Sequence, residues 1–220
     1  MPDFFHKKAL TNYISPSVQI GFCQYGPTLS LAGRLSTSRK VMFVDHMDLA
    51  VKGPSETVPK KFDWFALQNN YSAASHAHDI KTPSKFVIAS HEPYSYNIVF
   101  VDNERYAFMK SVISNIISAW QVVVETNPGS SSPELFKKFN SVPIAKEIDR
   151  ILKSLCYWRP GRYQMLIEVF SQKESFSEEK SFTLDERGVD LLKENSWNII
   201  ATTCQQPQVQ YHAVDTALYD

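Results

Sequence analysis

The residues best suited to chemistry are histidines and carboxylates. Ser75-His76-Ala77-His78-Asp79 places two imidazoles two residues apart, on one side of an extended stretch, with a carboxylate beside them. Imidazole and carboxylate are the ordinary ligands of zinc and related divalent ions. An incompletely coordinated ion of this kind activates water or oxygen. Asp45-His46-Met47-Asp48 and His91-Glu92 would supply further donors if folding brought them close. The metal candidates are therefore His76, His78 and Asp79, with His46 or His91 completing the set. The same stretch reads more simply as a small, polar surface loop, and on the sequence alone no cofactor is expected. A metal-dependent hydrolase or oxygenase is the alternative function.

Other catalytic chemistries find less support. Cys23, Cys156 and Cys204 are odd in number and far apart, forming no CxxC pair and no disulfide ladder. A reducing compartment, and so a cytoplasmic location, is the expectation. No residue pattern marks an activating base for any of the three thiols. Only seven glycines occur, and none of GxGxxG, GxxxxGK[ST] or GxSxG is present, which argues against phosphate-cradling and α/β-hydrolase folds. Basic residues lie beside aromatics at Lys60-Lys61/Phe62, Lys137-Lys138/Phe139 and Trp158/Arg159. Single-stranded nucleic acids use such pairs. However, 23 basic residues balance 23 acidic ones, which removes the footprint of a general nucleic-acid binder.

Strands and helices must position these groups. Val18/Ile20/Phe22, Leu29/Leu31/Gly33/Leu35, Val41–Val51 with a bend near Asp45-His46, and Tyr94/Tyr96/Ile98/Phe100 alternate with period two. Tyr163/Met165/Ile167/Val169 and Trp197/Ile199/Ala201/Thr203 repeat the pattern, and Gln208–Val214 would form a last strand. Asn103–Glu125 carries Tyr106, Met109, Ile113, Ile116, Trp120 and Val123 at helical spacing, with Asp102 placed to cap it. Ile144, Ile148, Ile151, Leu152 and Leu155 mark a second helix, and Asp185–Asn195 a short third. Lys110, Asn115 and three serines interrupt the first helix, so no membrane span is expected. The N-terminal residues lack an apolar signal region.

These elements predict a mainly β protein with α: one domain over 1–220, with a possible arm at 1–15. Two β-rich parts, 17–101 and 162–214, flank an inserted pair of helices at 103–156. The run Trp158-Arg159-Pro160-Gly161-Arg162-Tyr163 resembles the turn and strand of immunoglobulin-like and arrestin-like sandwiches. About nine or ten short strands separated by turn signals suggest two packed antiparallel sheets, a β-sandwich with which that resemblance agrees. The alternative is an α+β open sheet covered by helices. Fourteen phenylalanines, ten tyrosines and four tryptophans exceed what the motifs explain. A zero net charge limits solubility unless a partner covers some surface. The long helix carries a second set of apolar residues, Phe108, Val112, Ile117 and Val124, which are the interface candidates. The expectation is a soluble, non-catalytic cytosolic protein-binding or assembly module, joined to a protein partner or to itself as an oligomer, with no nucleic acid and no membrane.

Overall fold

The structure, a computed structural model, describes residues 9–68, 80–81, 84–172, 175–207 and 209–220. It is mainly antiparallel sheet with four helices. In chain order the elements are β1 (Leu10–Cys23), β2 (Gly26–Thr37), β3 (Val41–Lys52), β4 (Lys60–Gln68), β5 (Ile80–Lys81), β6 (Phe86–Ala89), β7 (Tyr94–Asp102), α1 (Asn103–Thr126), α2 (Ser132–Ser141), α3 (Pro143–Leu155), β8 (Gly161–Ser171), β9 (Ser175–Leu184), α4 (Glu186–Thr203) and β10 (Ala213–Ala217).

All ten strands belong to one sheet, ordered β10-β1-β2-β7-β4-β3-β8-β9, with β5 on β4 and β6 on β3. The sequence pattern implied two stacked sheets; the hydrogen bonding is instead continuous. The two ends of the sheet meet through the residues after β10. Ser181 on β9 exchanges backbone hydrogen bonds with Tyr219 at 2.7 and 2.8 Å, while the Leu218 N–H donates to the Pro16 carbonyl of β1 at 2.7 Å. The sheet is thereby nearly closed and barrel-like. A sheet that curls on itself buries one face and keeps the alternation that a sandwich would show. Val18, Ile20, Phe22, Leu29, Leu31, Ile98, Phe100, Met165, Ile167 and Val169 line that face, each almost inaccessible.

Several boundaries differ from the sequence expectations. Residues 10–15 are not an arm, because Leu10 to Ile14 pair with Thr37 to Gly33 of β2. Pro16 conceals this: the register shifts between Ile14 and Val18, and the strand resumes beyond the irregularity. The expected bend at Asp45-His46 is a register shift between β3 and β8 at that point. The helical insert holds three helices, with α2 started by a Ser131/Glu134 capping box. Trp197–Thr203 is the second half of α4, not a strand, and the last strand is β10, at Ala213–Ala217. Val189, Leu192, Ser196, Ile199 and Ile200 give α4 its buried stripe. Asp185 caps the helix by accepting from the Gly188 N–H at 2.7 Å.

Gly33 has a specific job in the sheet. It lies opposite Tyr96 in the β2–β7 ladder. The Tyr96 ring crosses it so that the hydroxyl donates to Asn12 Oδ1 on β1 at 3.0 Å. A Cβ at position 33 would lie 2.3 Å from the Tyr96 hydroxyl oxygen, 2.4 Å from Cζ and 2.7 Å from the Tyr13 carbonyl oxygen. Two strands must therefore give way at once. Gly33→Ala is expected to cost about 1–3 kcal/mol, read as a lower urea midpoint at unchanged slope. A midpoint equal to the parent's would mean that the ring leaves Gly33 without cost.

Candidate functional site

The histidines do not come together among the described residues. His46, exposed on β3, stacks on Phe170 at 4.3 Å between ring centroids, and its Nε2 lies 3.9 Å from Asp48 Oδ2. His91 is exposed in the turn between β6 and β7. Val41 pairs with Ala89, so His91 lies beyond the start of β3. His46 is five residues along that strand, roughly 16 Å away at a strand's rise. Asp45 is occupied by Lys85 at 2.7 Å. Among the described residues no three histidine, cysteine or acidic side chains form a group able to hold a metal ion. His76, His78 and Asp79 lie outside the described residues.

The thiols are separate and buried to different degrees. Cys156 and Cys204 follow the ends of α3 and α4 and are inaccessible, while Cys23 at the end of β1 is partly covered. Burial pushes the Cys23 thiol up to about 11 and the Cys156 and Cys204 thiols up to about 12. Groups held protonated in this way make poor nucleophiles. The aromatics next to basic pairs are also committed: Phe62, Phe139 and Trp158 are core residues. They have no free ring face for a base.

Two polar arrangements had no sequence signal. At the start of β4, Lys60 pairs with Glu56 and lies 4.5 Å over the Tyr157 ring, which Arg105 of α1 also approaches at 5.8 Å. Burial lowers the Lys60 pKa, and burial together with the Asp102 charge holds the Tyr157 hydroxyl well above its ordinary value. These groups join the β3–β4 loop, α1 and the exit from α3. The second arrangement is an open cleft of about 720 Å³ between α3, α4 and the segment before β10. There Ser196 donates to Asp149 at 2.6 Å, Lys153 pairs with Asp149 at 2.7 Å, and His212 stands 3.7 Å from Glu194. Asn195, fully buried, holds the His212 backbone through both amide atoms at 2.7 and 2.8 Å. These cleft groups satisfy one another, which is an arrangement for holding elements together.

The remaining surface is α1. Asp102 starts it, accepting from the Arg105 N–H at 3.1 Å. Met109, Val112, Ile116 and Val123 form the side packed on the core. Val112, an interface candidate by sequence, is therefore buried. At 100° per residue it falls at the edge of that stripe, about 20° from Val123 and 40° from Ile116. Phe108, Ile117 and Val124 are exposed by 61%, 42% and 39%, and Val122 by 59%. Phe108 and Val122 flank one edge of the buried stripe; Ile117 and Val124 flank the other. From Ser111 to Val124 the helix has no charged side chain. By length and composition α1 could also cross a bilayer, with 22% of its apolar window buried.

Comparison with known proteins assigns no family. No family model matches the chain, and no curated protein matches it. Among solved structures it is similar to a family 123 glycoside hydrolase from Clostridium perfringens. The two share 10% identity at a TM-score of 0.33, over 80% of this chain and 27% of the other. The chain thus spans about a quarter of that structure's length, and a likeness of this degree assigns neither fold nor activity.

Proposed function

We propose that this protein is a non-catalytic protein-interaction or assembly module of the cytoplasm, with the curled sheet as scaffold and the outer side of α1 as the contact surface. The observation that carries the reading is the charge-free stretch Ser111–Val124, whose exposed side offers Ile117, Val122 and Val124 among serines, Asn115 and Gln121. A helix that faces only water is normally charged on its outer side, whereas the centres of protein interfaces are depleted of charge. Covering each large exposed side chain contributes about 1–2 kcal/mol, enough for three or four of them to matter together. The distance between His46 and His91 and the buried thiols favour this reading over a catalytic one.

The test is a photo-cross-linking residue at Ser114, on the outer side of α1, with Glu147 on the charged surface of α3 as control. In cells, discrete protein adducts are expected from Ser114 and not from Glu147. The double variant Ile117→Asp, Val124→Asp should abolish them while leaving the melting temperature nearly unchanged, because surface substitutions outside packed features cost little, within about 0.5 kcal/mol. Equal adducts from both positions, or none from either, would sink the proposal. A second reading, contact with a membrane, is favoured by the length and apolarity of α1. Adducts to lipid in place of protein would select it.

A further inference from the structure

We propose that a cleft on β3, β8 and β9 binds a small organic monocarboxylate. The charged end of the ligand lies between Lys52 and Arg162, and its hydrocarbon part covers Ala50 and Leu166. The cleft has a volume of about 350 Å³, at the lower end of small-molecule sites. None of its lining residues belongs to α1. The strand register lays out its floor. Ala50, Leu166 and Glu179 stand side by side across the three strands, and Lys52, Gln164 and Ser181 form the next row. Val51 and Met165, the residues between the rows on β3 and β8, are core residues, so alternation turns both rows away from the core.

The charges select the ligand. Neither Lys52 nor Arg162 meets a carboxylate among the described residues. Arg162 is aimed by Ser181, whose hydroxyl oxygen accepts from its Nη2 at 2.8 Å. Arg162 lies two residues before Gln164 on β8, so its Cα is roughly 8 Å from that of Lys52 at ordinary strand spacings. A carboxylate above Gln164 has a cation on either side, and the guanidinium and amide N–H groups both donate to it. The floor favours a ligand with a hydrocarbon part, because a bare anion would leave Ala50 and Leu166 in water. At the β9 end of the floor Glu179 has no ion-pair partner among the described residues, and its charge disfavours a second anionic group on the ligand. Lys180 and Asp220 reach the same rim but pair with each other at 2.5 Å, and Lys180 also meets Glu178 at 2.8 Å. Lys52 and Arg162 against Glu179 leave an excess of positive charge, which suits a monoanion.

Hexanoate is the probe, its binding to the full chain followed by ligand-observed NMR. It should bind with a Kd of about 1 mM, the order expected of so small a ligand, and more weakly as salt is added. Hexanol and inorganic phosphate each carry half of the recognised chemistry and should bind about fivefold more weakly or worse. Hexanoate should lose a similar factor, about fivefold or more, on the Lys52→Gln, Arg162→Gln variant, since exposed charge pairs contribute modestly. Circular dichroism melts of parent and variant should coincide. Adipate, with a carboxylate at both ends, should bind the parent less well than hexanoate and gain affinity for Glu179→Gln. That comparison removes no cation, so it reads the site even if the double variant unfolds. Hexanoate that stays unbound at about 20 mM, that binds a folded double variant as tightly as the parent, or that phosphate or hexanol outcompetes would overturn the carboxylate site. Adipate binding that Glu179→Gln leaves unchanged would overturn the selection of a monoanion.

Discussion

Stability should fall steeply once the pH rises past about 9, the ordinary pKa of a free thiol. Below that value Cys23, Cys156 and Cys204 are protonated in folded and unfolded chains alike, and the thiols add no pH dependence. Above it the unfolded chain releases their protons. The folded chain keeps them until about 11 at Cys23 and about 12 at Cys156 and Cys204. In that window the native state binds more protons than the unfolded one, so raising the pH favours unfolding. Each thiol contributes at most about 1.4 kcal/mol per pH unit. Three acting together reach about 4 kcal/mol per unit, against a usual total of about 5–15 kcal/mol.

Tyrosines steepen the decline from pH 10 upward. Burial raises the hydroxyls of Tyr94, Tyr96, Tyr157, Tyr163 and Tyr211 above their ordinary value. At Tyr96 the Glu178 charge adds to burial. Urea midpoints measured across this range should drop progressively, with thiolate absorbance appearing only as the protein unfolds. Cys204→Ala would remove one thiol's share of the slope, about a third of the thiol contribution. Midpoints that stay level through the window, or thiolate absorbance that precedes unfolding, would show that the native thiols ionise freely.

The strands were the most legible part of this fold. Wherever one face of the sheet is buried, apolar residues must alternate, and β2, β7 and β8 announce themselves in that way. The stripe of α1 is equally plain, because Met109, Ile116 and Val123 meet the core on one side. α4 is obscured by its own buried polar residues. Asn195 and Ser196 lie on its inner face because they bond the His212 backbone and Asp149. With polar side chains on that face, Trp197, Ile199 and Ala201 mimic an alternating strand. The closure of the sheet rests on the few hydrogen bonds of Leu218 and Tyr219, too few residues to show a period. At the candidate site, the apolar excess of α1 was visible in the sequence but its sidedness was only half visible. Two stripes run along the helix, and only packing shows that Val112 belongs to the inner one.

Replacing Trp158 by alanine is expected to cost about 3–5 kcal/mol, the usual range for deleting a buried tryptophan. The residue is almost inaccessible and sits where the chain leaves α3 to enter β8. Its indole N–H donates to the Gly21 carbonyl at 3.2 Å. Its ring lies 6.1 Å from Phe62, 5.2 Å from Tyr157 and 5.5 Å from Tyr163 by centroids. Tyr163 in turn stacks on Phe182 at 4.9 Å. It also fixes the turn, accepting from the Arg159 N–H at 2.8 Å and donating to the Arg159 carbonyl at 2.9 Å. Gly161 completes the turn at φ +138°, where a Cβ would come within 2.8 Å of Pro54. The indole therefore joins β1, β4, β8 and the helical segment, and a cavity there cannot close by moving one element. Urea unfolding followed by circular dichroism should show the loss; a change below about 1 kcal/mol would mean that the site collapses freely. The same variant separates folding from contact. Because Trp158 lies in the core and away from the exposed side of α1, the molecules that remain folded should yield Ser114 adducts at the parent level. Loss of adducts beyond the loss of folded protein would place the contact surface at this end of the sheet and not on α1.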